Sequence, residues 1–289
     1  MERVVYYNGV FSREDDIAIS PFNRGLLYGD GVFETLRTYG GRAFRLDRHL
    51  TRLAEGLRIV RINSWWKRDE IESVLRELLR INKLSDASAR ITVFRGDGDG
   101  PEPEQDMRAS ILVSVKPGDY YREDDYEKGF RAYLTTIRRN IYSPLSRIKS
   151  LNYLDNILGR LEARDHNARE ALFLNTEGRV AEGAVSNIFI IKDNKLITPP
   201  VDAGILPGIT REAVLEIAEQ VVQETGERAF SVEELLNSEE AFLTNSIMEI
   251  MPLTFVNDQP IGNGTPGPVT RKFLDRYRQL VRKELELSV

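Results

Sequence analysis

The sequence predicts an α+β protein of two domains, and two observations support this prediction. The 289 residues exceed the roughly 150 residues of a typical single domain. Segments with the period of strands and segments with the period of helices come in blocks along the chain, rather than in strict alternation. With 29% charged and 41% hydrophobic residues, the composition is that of an ordinary globular protein, which excludes a disordered or fibrous chain.

The first domain is predicted over residues 1–117, where a block of strands, two helices and two further strands follow one another. The strand-like runs cover 4–7, 17–19, 32–39, 90–94 and 109–115. In the run 32–39, the two-residue period places Phe33, Thr35, Arg37 and Tyr39 on one face. Asp47 is expected to cap the first helix. The apolar stripes of the two helices are Leu50, Leu53, Ala54 and Leu57, and Ile71, Val74, Leu75, Leu78 and Leu79.

A polar and aromatic stretch over 118–128 is predicted as a linker, and 129–289 as the second domain. Its predicted strands are 171–174, 184–191 and 195–197. A long helix is predicted from residue 209 and a C-terminal helix over 269–285. The predicted buried faces of the three helices are Leu154, Ile157, Leu158 and Leu161; Val214, Ile217, Ala218 and Val221; and Phe273, Tyr277, Leu280 and Val281.

The residue counts exclude several kinds of chemistry. The chain has no cysteine and two histidines, which removes disulfides, zinc–thiolate sites, iron–sulfur clusters and cysteine nucleophiles, and leaves little material for a Ser/His/Asp triad. The chemistry is therefore expected to use Lys, Arg, Glu, Tyr or an organic cofactor. The net charge of −5 argues against nucleic-acid binding. There is no long apolar run and no signal-peptide pattern, so we expect a cytoplasmic protein that does not bind membranes.

Three short patterns suggest chemistry, and each also has an ordinary structural interpretation. Gly208-Ile209-Thr210 opens a helix, where N–H groups and the helix dipole could hold a phosphate, or where Thr210 could simply cap the helix. Lys149 follows a segment whose charged residues are all basic, and like charges lower a lysine pKa, as an imine-forming lysine requires; it could equally be a solvated lysine. Glu182 lies between apolar stretches, either as a surface charge or facing a cation.

Taken in order, the motifs resemble the class IV aminotransferases, a pyridoxal-phosphate family that includes branched-chain and D-amino-acid aminotransferases and aminodeoxychorismate lyases. The matching segments are YGDGVFE (28–34), KSLNY (149–153), EGAVSN (182–187), LPGITR (206–211) and TNSIMEIMP (244–252). The resemblance covers nearly the whole chain. It implies the two-domain fold type IV, with a small N-terminal and a larger C-terminal domain, both α/β, and the cofactor at their interface.

The resemblance also implies catalytic roles. Lys149 would form the imine with pyridoxal phosphate and move the proton between Cα of the substrate and C4′ of the cofactor. Glu182 would pair with the pyridine nitrogen and keep it protonated. Tyr153 would hydrogen-bond O3′ of the cofactor, although branched-chain enzymes have one more residue between the lysine and this tyrosine.

Four further residues match the family's phosphate-binding groups. Arg52 corresponds to its phosphate-binding arginine, although the helical period alone would make this side chain solvated. Ile209 and Thr210 match the helix N-terminus that holds the phosphate, and Ser246 matches the hydroxyl that joins them.

The implied substrate-binding residues are Tyr28, Phe33, Arg37, Arg90, Asn245 and Ile247. Backbone N–H groups at Asn245 and Ile247 would flank the substrate α-carboxylate. Arg90 could hold a second carboxylate, such as that of glutamate; branched-chain enzymes have arginine there and the lyases lysine. Glu34-Thr35 replaces the Glu-Gly of branched-chain enzymes, and the Arg-x-His pair of D-amino-acid enzymes is absent. These differences match no single subfamily.

The expected function is a homodimeric pyridoxal-phosphate aminotransferase with a ping-pong cycle. It would move an amino group between a small-molecule donor, such as a branched-chain amino acid, and a 2-oxo acid acceptor such as 2-oxoglutarate. The alternatives are an aminodeoxychorismate lyase, a D-amino-acid or (R)-amine aminotransferase, and a non-catalytic dimer that binds the cofactor. No metal is expected.

Overall fold

The computed structural model describes residues 3–104, 107–118 and 121–287. These residues form two compact units. The first contains 3–118 together with the short segment Ile148–Asn152, and the second contains 121–147 and 153–287. The segment Ile148–Asn152 thus packs with the N-terminal part of the chain, although the predicted boundary assigns it to the second domain.

The first unit is an antiparallel sheet with helices against it. Its strands are β1 (Val4–Tyr7), β2 (Val10–Arg13), β3 (Gly31–Tyr39), β4 (Arg42–Ala43), β5 (Ala87–Phe94) and β6 (Ser110–Pro117). Its helices are α1 (Arg24–Tyr28), α2 (Leu46–Ile59) and α3 (Arg68–Asn82). Within the described residues the strand order is β2-β1-β6-β5-β3-β4. This arrangement confirms the strand, helix and strand blocks predicted for the domain.

The core of this unit lies between the sheet and the helices α2 and α3. The predicted stripe of α3 is confirmed, since all five of its residues are buried. The stripe of α2 is confirmed except at Ala54, which is exposed. Two details are wrong: residues 17–19 form no strand, and α2 is preceded by Arg45 at φ 52°, so Asp47 lies in its first turn rather than capping it.

The second unit is a larger mixed sheet with helices. Its strands are β7 (Phe130–Arg139), β8 (Glu170–Asn175), β9 (Val180–Gly183), β10 (Asn187–Lys192), β11 (Lys195–Thr198), β12 (Glu224–Glu227), β13 (Glu240–Asn245), β14 (Glu249–Val256) and β15 (Gln259–Pro260). Its helices are α4 (Glu123–Lys128), α5 (Leu154–Asp165), α6 (Ile209–Ile217), α7 (Val232–Leu236) and α8 (Pro268–Glu284).

In the part of this sheet that the structure describes, the order is β12-β11-β10-β13-β14-β7-β8-β9, and β15 pairs with β14. The pairs β7–β8, β14–β7 and β11–β12 are parallel, and the other pairs are antiparallel. The helix α5 connects the parallel strands β7 and β8 and packs on both of them. The second unit also contains α4, which occupies part of the stretch predicted as a linker.

The orientation predicted for α5 is wrong. Its buried residues are Asn156, Gly159 and Ala163, and a Cβ at Gly159 would lie 2.6 Å from the Phe173 ring. The helix therefore packs on the sheet through small residues, because the aromatic ring leaves no space for larger ones. The predicted inward stripe of four apolar side chains faces away from the core of its own unit.

The other two predicted helices of this unit are largely confirmed. The helix α6 ends after nine residues and continues as a short 3₁₀ turn. In α8, Phe273, Tyr277 and Val281 are buried and Leu280 is half-buried. None of the helices in the described ranges is long and apolar enough to cross a membrane.

Candidate active site

Lys149 is held by main-chain pairing with β3. The N–H of Phe33 donates to the carbonyl of Lys149 (2.8 Å), and the N–H of Leu151 donates to the carbonyl of Gly31 (2.9 Å). A side chain at position 31 would collide with the carbonyl of Val93 and with the side chain of Leu151. Glycine at position 31 therefore allows the segment 148–152 to lie against the strand, and this pairing fixes the backbone of Lys149.

Two cationic side chains lie close to the ring of Phe33. Lys149 Nζ lies 4.5 Å from the ring centroid, and the guanidinium carbon of Arg90 lies 3.7 Å from it. Phe33 is buried and Arg90 is exposed. The structure thus brings together Phe33, Lys149 and Arg90, three of the residues predicted to take part in catalysis or substrate binding. Two positive charges close to one aromatic ring favour an anionic ligand in this neighbourhood.

Arg52 does not extend into solvent. Its Nε and one Nη each donate to an oxygen of Glu34, at 2.7 Å for both contacts. His49 Nδ1 lies 2.8 Å from the same carboxylate. Glu34 and His49 are fully buried and Arg52 is almost so. A bidentate contact of this kind fixes the plane of the guanidinium as well as its position.

The charges in this cluster shift both titratable groups. Burial raises the pKa of Glu34, but the charge of Arg52 and the hydrogen bonds from Arg52 and His49 outweigh it and bring the pKa to about 2. Burial lowers the pKa of His49, and the charges of Arg52 and Lys149 lower it further, against the opposing effect of Glu34. At neutral pH the cluster therefore contains an ionised Glu34, a cationic Arg52 and a neutral His49.

Tyr28 and Arg37 also lie in the first unit, Tyr28 at the end of α1 and Arg37 on β3. Tyr28 ends α1 and is 42% exposed, and the guanidinium carbon of Arg24 lies 4.9 Å from its ring centroid. Arg24 is itself fixed by an ion pair with Asp30 (3.0 Å). Arg37 projects from β3, and its guanidinium carbon lies 4.7 Å from the ring of Tyr39.

In the second unit, Glu182 is a buried carboxylate that contacts a backbone N–H and an arginine. The strand β9 carries it, and the residue is 7% exposed. Its Oε2 accepts from the N–H of Leu206 (2.9 Å), and its Oε1 lies 3.1 Å from Nε of Arg139. The interpretation of Glu182 as a surface charge is therefore wrong, because the side chain is buried and faces a cation.

Tyr153 immediately precedes α5, and hydrogen bonds connect it to the pair formed by Glu182 and Arg139. Its hydroxyl donates to the carbonyl of Ala184 at 3.3 Å, and Asn156 donates to the same carbonyl. Asn156 Oδ1 in turn accepts from Arg139 (3.3 Å). Hydrogen bonds thus connect Tyr153 to the arginine that pairs with Glu182.

The N-terminus of α6 has the features of an anion site. Within the described second unit, no side chain caps its first turn. The N-cap residue is Gly208, and a Cβ there would collide with Oδ1 of Asn187. Ile209 and Thr210 follow as the first helical residues, and both are buried. Because the first N–H groups of a helix lack intrahelical acceptors, this end of α6 can bind a phosphate.

Asn245 shapes the turn between β13 and β14. Its Oδ1 accepts from the N–H groups of Ile247 (2.9 Å) and Met248 (2.8 Å), and its Nδ2 donates to the carbonyl of Val185 (3.0 Å). Ser246 lies in this turn and is half-buried. The N–H of Ile247, expected to face the substrate carboxylate, thus donates to a side chain in this structure. A carboxylate would have to compete with Asn245 for that donor.

Sequence reasoning missed three participants in these clusters: Glu34, His49 and Arg139. Glu34 stands within the segment 28–34, and helical spacing places His49 one turn before Arg52 on α2. Arg139 gave a weaker signal, since it is one of several basic residues in its segment and lies 43 positions before Glu182.

Comparison with known proteins identifies the family. Residues 31–256 match the family described as amino-transferase class IV. The chain belongs to the class IV aminotransferases. A Methanocaldococcus jannaschii protein assigned as a branched-chain-amino-acid aminotransferase is 36% identical over 283 residues, or 96% of each chain. The aminodeoxychorismate lyase of Bacillus subtilis is 34% identical over 282 residues, covering 96% of this chain and 95% of that one.

The solved structures of this aminotransferase family include the branched-chain amino acid aminotransferase from Thermobaculum terrenum in its PLP-bound holo form. It superimposes with a TM-score of 0.87 at 28% identity, over 97% of this chain and 94% of that one. Both the α+β architecture and the resemblance inferred from the motifs are thus confirmed. In the described ranges no group of three or more His, Asp or Glu side chains could hold a metal ion.

The residues of this aminotransferase fit pyridoxal phosphate. The start of α6, which no side chain of the described second unit caps, suits its phosphate. Glu182 is a buried carboxylate that faces a cation, and a carboxylate oxygen is the acceptor that a protonated ring N–H requires. Tyr153 supplies a phenol, and Lys149 supplies a primary amine on a fixed backbone.

Proposed function

We propose that this class IV enzyme transfers an amino group between an amino acid and a 2-oxo acid such as 2-oxoglutarate, with pyridoxal phosphate as its cofactor. The placement of Lys149 carries this proposal. Its backbone is paired with β3, and its amine lies beside the ring of Phe33 and close enough to His49 to lower the pKa of that imidazole. A lysine held among other cations is suited to covalent catalysis with carbonyl compounds.

In this proposal, different residues of the chain move the proton, contact the cofactor ring and hold its phosphate. Pyridoxal phosphate, when bound, supplies an electron sink for the electron pair released as the Cα–H bond breaks. Lys149 Nζ takes that proton and returns it at the neighbouring carbon. Glu182 would keep the proton of the ring nitrogen in place. The Tyr153 hydroxyl, which donates to the carbonyl of Ala184 in this structure, would turn to the ring oxygen when the cofactor is bound. The start of α6 with Thr210, together with Arg52 and Ser246, would hold the phosphate.

On the substrate side, we propose that Tyr28, Phe33 and Arg37 contribute to the wall around the donor side chain. Arg90 is the residue best suited to a second carboxylate, because its exposed guanidinium is held over Phe33. The turn at Asn245 and Ile247 would bind the α-carboxylate. Branched-chain donors are favoured, since the Methanocaldococcus and Thermobaculum relatives bear that name.

The half-reaction tests this function directly. Purified protein loaded with pyridoxal phosphate should show a visible absorption band, which an amino donor added without acceptor should remove and 2-oxoglutarate should restore. L-Leucine, L-valine and L-isoleucine should react faster than D-alanine or an (R)-amine. Protein that takes up no cofactor would refute the proposal, and bound cofactor that no donor converts would favour the non-catalytic alternative.

Aminodeoxychorismate lyase is a second candidate, because the Bacillus subtilis relative of that name is nearly as similar as the branched-chain one. The same lysine would then promote elimination of pyruvate. Incubation with aminodeoxychorismate distinguishes the two activities, since only the lyase forms 4-aminobenzoate. The cytoplasmic location expected from the sequence stays a prediction.

We further propose that the enzyme is a homodimer and that α5 contributes to the interface. Four apolar side chains on one face of this helix are exposed, with Leu154 at 65%, Ile157 at 48%, Leu158 at 44% and Leu161 at 38%. Their spacing of three and four residues makes one continuous stripe along the helix. Exposed apolar stripes of this kind are typical of protein–protein contacts.

Leu158→Glu is expected to convert the dimer into a monomer, because it places a charge in the middle of the stripe. Sedimentation velocity should show about 66 kDa for the wild type, twice the 33.0 kDa of one chain, and half that mass for the variant. Arg164→Ala, at an exposed polar position on the same helix, should remain dimeric. A variant that stays at the wild-type mass would exclude α5 from the interface.

A further inference from the structure

Arg139 is a buried arginine at the last position of β7. The residue is 9% exposed, and its guanidinium carbon lies 4.1 Å from the ring centroid of Phe173. One Nη donates to Asn156 (3.3 Å), and Nε lies 3.1 Å from Oε1 of Glu182. This last contact is ionic, since Nε has no well-aligned hydrogen-bond acceptor. The arginine is thus enclosed by an aromatic ring, an amide and the carboxylate of Glu182.

The burial of this pair needs a physical reason. Removing two charges from water is unfavourable for each ion, and a hydrophobic pair of similar volume is often as stable. The pair therefore suggests a requirement for a charged carboxylate at position 182. A carboxylate buried without a cation would tend to take up a proton, and a protonated Glu182 could no longer pair with a cationic N–H.

The contacts also fix the orientation of the carboxylate. The Leu206 N–H holds Oε2, while Arg139 faces Oε1. Arg139 is in turn held by Asn156, which shares the carbonyl of Ala184 with the phenol of Tyr153.

We propose that Arg139 is a positioning residue that acts through Glu182. Arg139 would stabilise the negative charge of that carboxylate. It would also orient the carboxylate to accept a hydrogen bond from the protonated ring nitrogen of the cofactor. This inference rests on the proposed function, because it assumes that Glu182 meets the pyridine nitrogen. Arg139 itself then has no contact with the reacting atoms.

The test compares two ligands that differ only at the ring nitrogen. Cofactor-free protein is titrated with pyridoxal 5′-phosphate and with its 1-deaza analogue, in which C–H replaces that nitrogen, and the dissociation constants are determined by fluorescence. Arg139→Gln should weaken pyridoxal phosphate binding by about 10-fold or more, the scale typical of residues that orient a ligand-binding side chain. Binding of the deaza analogue should change by less than about 2-fold.

Three further variants separate positioning from a structural role. In a Glu182→Gln background, Arg139→Gln should weaken pyridoxal phosphate binding by no more than about 2-fold further, since Arg139 acts through the Glu182 carboxylate. Arg139→Lys keeps the charge, so its dissociation constant for pyridoxal phosphate should lie between those of the wild type and Arg139→Gln. Its dissociation constant for the deaza analogue should equal that of the wild type. Arg138→Gln, at the neighbouring exposed position of β7, should bind both ligands like the wild type.

Each outcome decides the inference. An equal loss of binding affinity for both ligands would show that Arg139 has only a structural role. Additive losses of affinity in the double variant would show that Arg139 does not act through Glu182. Unchanged binding by Arg139→Gln would overturn the inference and leave the proposed function intact. A wild type that binds neither ligand would overturn the proposed function itself. If Arg139→Gln does not fold, the selective loss is sought in Arg139→Lys, and its absence there refutes the proposal.

Discussion

Lys149→Ala is expected to bind pyridoxal phosphate without any covalent attachment and to lose transaminase activity by at least about 10⁴-fold. Borohydride reduction followed by intact-mass measurement should show one cofactor adduct on the wild type and none on the variant. Peptide mapping of the wild type should place the adduct on Lys149. The activity loss is large because one amine both forms the covalent bond and transfers the proton, so its removal affects every step.

The surroundings of Lys149 make this residue the expected site of attachment. Main-chain pairing with β3 fixes its backbone, and its amine lies over the ring of Phe33. Lys128 is a suitable control, since it is exposed at the end of α4 and pairs with Asp124 at 3.0 Å. Lys128→Ala should retain the adduct and full activity. An adduct on another lysine, or normal turnover by Lys149→Ala, would contradict the assignment.

The sequence identified Lys149 and Glu182 through family motifs, and their physical surroundings became visible only in the fold. Residue patterns without the motif leave Lys149 as one basic residue among several, whereas in the fold its segment pairs with β3, more than a hundred residues away in the chain. Arg139 reaches Glu182 because β7 and β9 both flank β8. Such sheet neighbours depend on register over long sequence separations, which residue patterns do not encode.

The helix α5 shows a second limit of pattern reasoning. Helical period correctly places its four large apolar residues on one face. It does not tell which structure covers that face, and here the core of the same unit lies on the opposite side, against Gly159 and Ala163. An apolar stripe at a subunit interface has the same period as one in a core. In contrast, α3 has one apolar face, and that face is buried as predicted.

Glu34→Gln is expected to lower the free energy of unfolding at pH 7 by about 3–5 kcal/mol, the usual cost of removing one partner from a buried ion pair. The substitution preserves the shape of the side chain but removes the negative charge that Arg52 contacts, and the Arg52 side chain is 11% exposed. Urea unfolding of the two proteins measures the difference. Glu55→Gln is the control, because that carboxylate pairs with Arg58 on the exposed surface of α2, and it should unfold at the wild-type urea concentration.

The pH dependence of this difference provides a sharper test. The pKa of Glu34 falls from 4.5 to about 2 in the folded protein. A carboxyl group with a lowered pKa in the folded state stabilises it above pH 4.5, and that contribution is lost as the pH falls towards 2. The stability difference between wild type and Glu34→Gln should therefore shrink over this window.

His49 adds a separate effect at higher pH. Its pKa lies below 6.5 in the folded protein, so the unfolded chain binds a proton more readily and the wild type loses stability as the pH falls below that value. Glu34→Gln removes a neighbour that raises the pKa of His49, so the variant should lose at least as much stability there. A difference that persists unchanged at pH 2 would show that the ionised Glu34 is not what stabilises the Arg52 and His49 cluster.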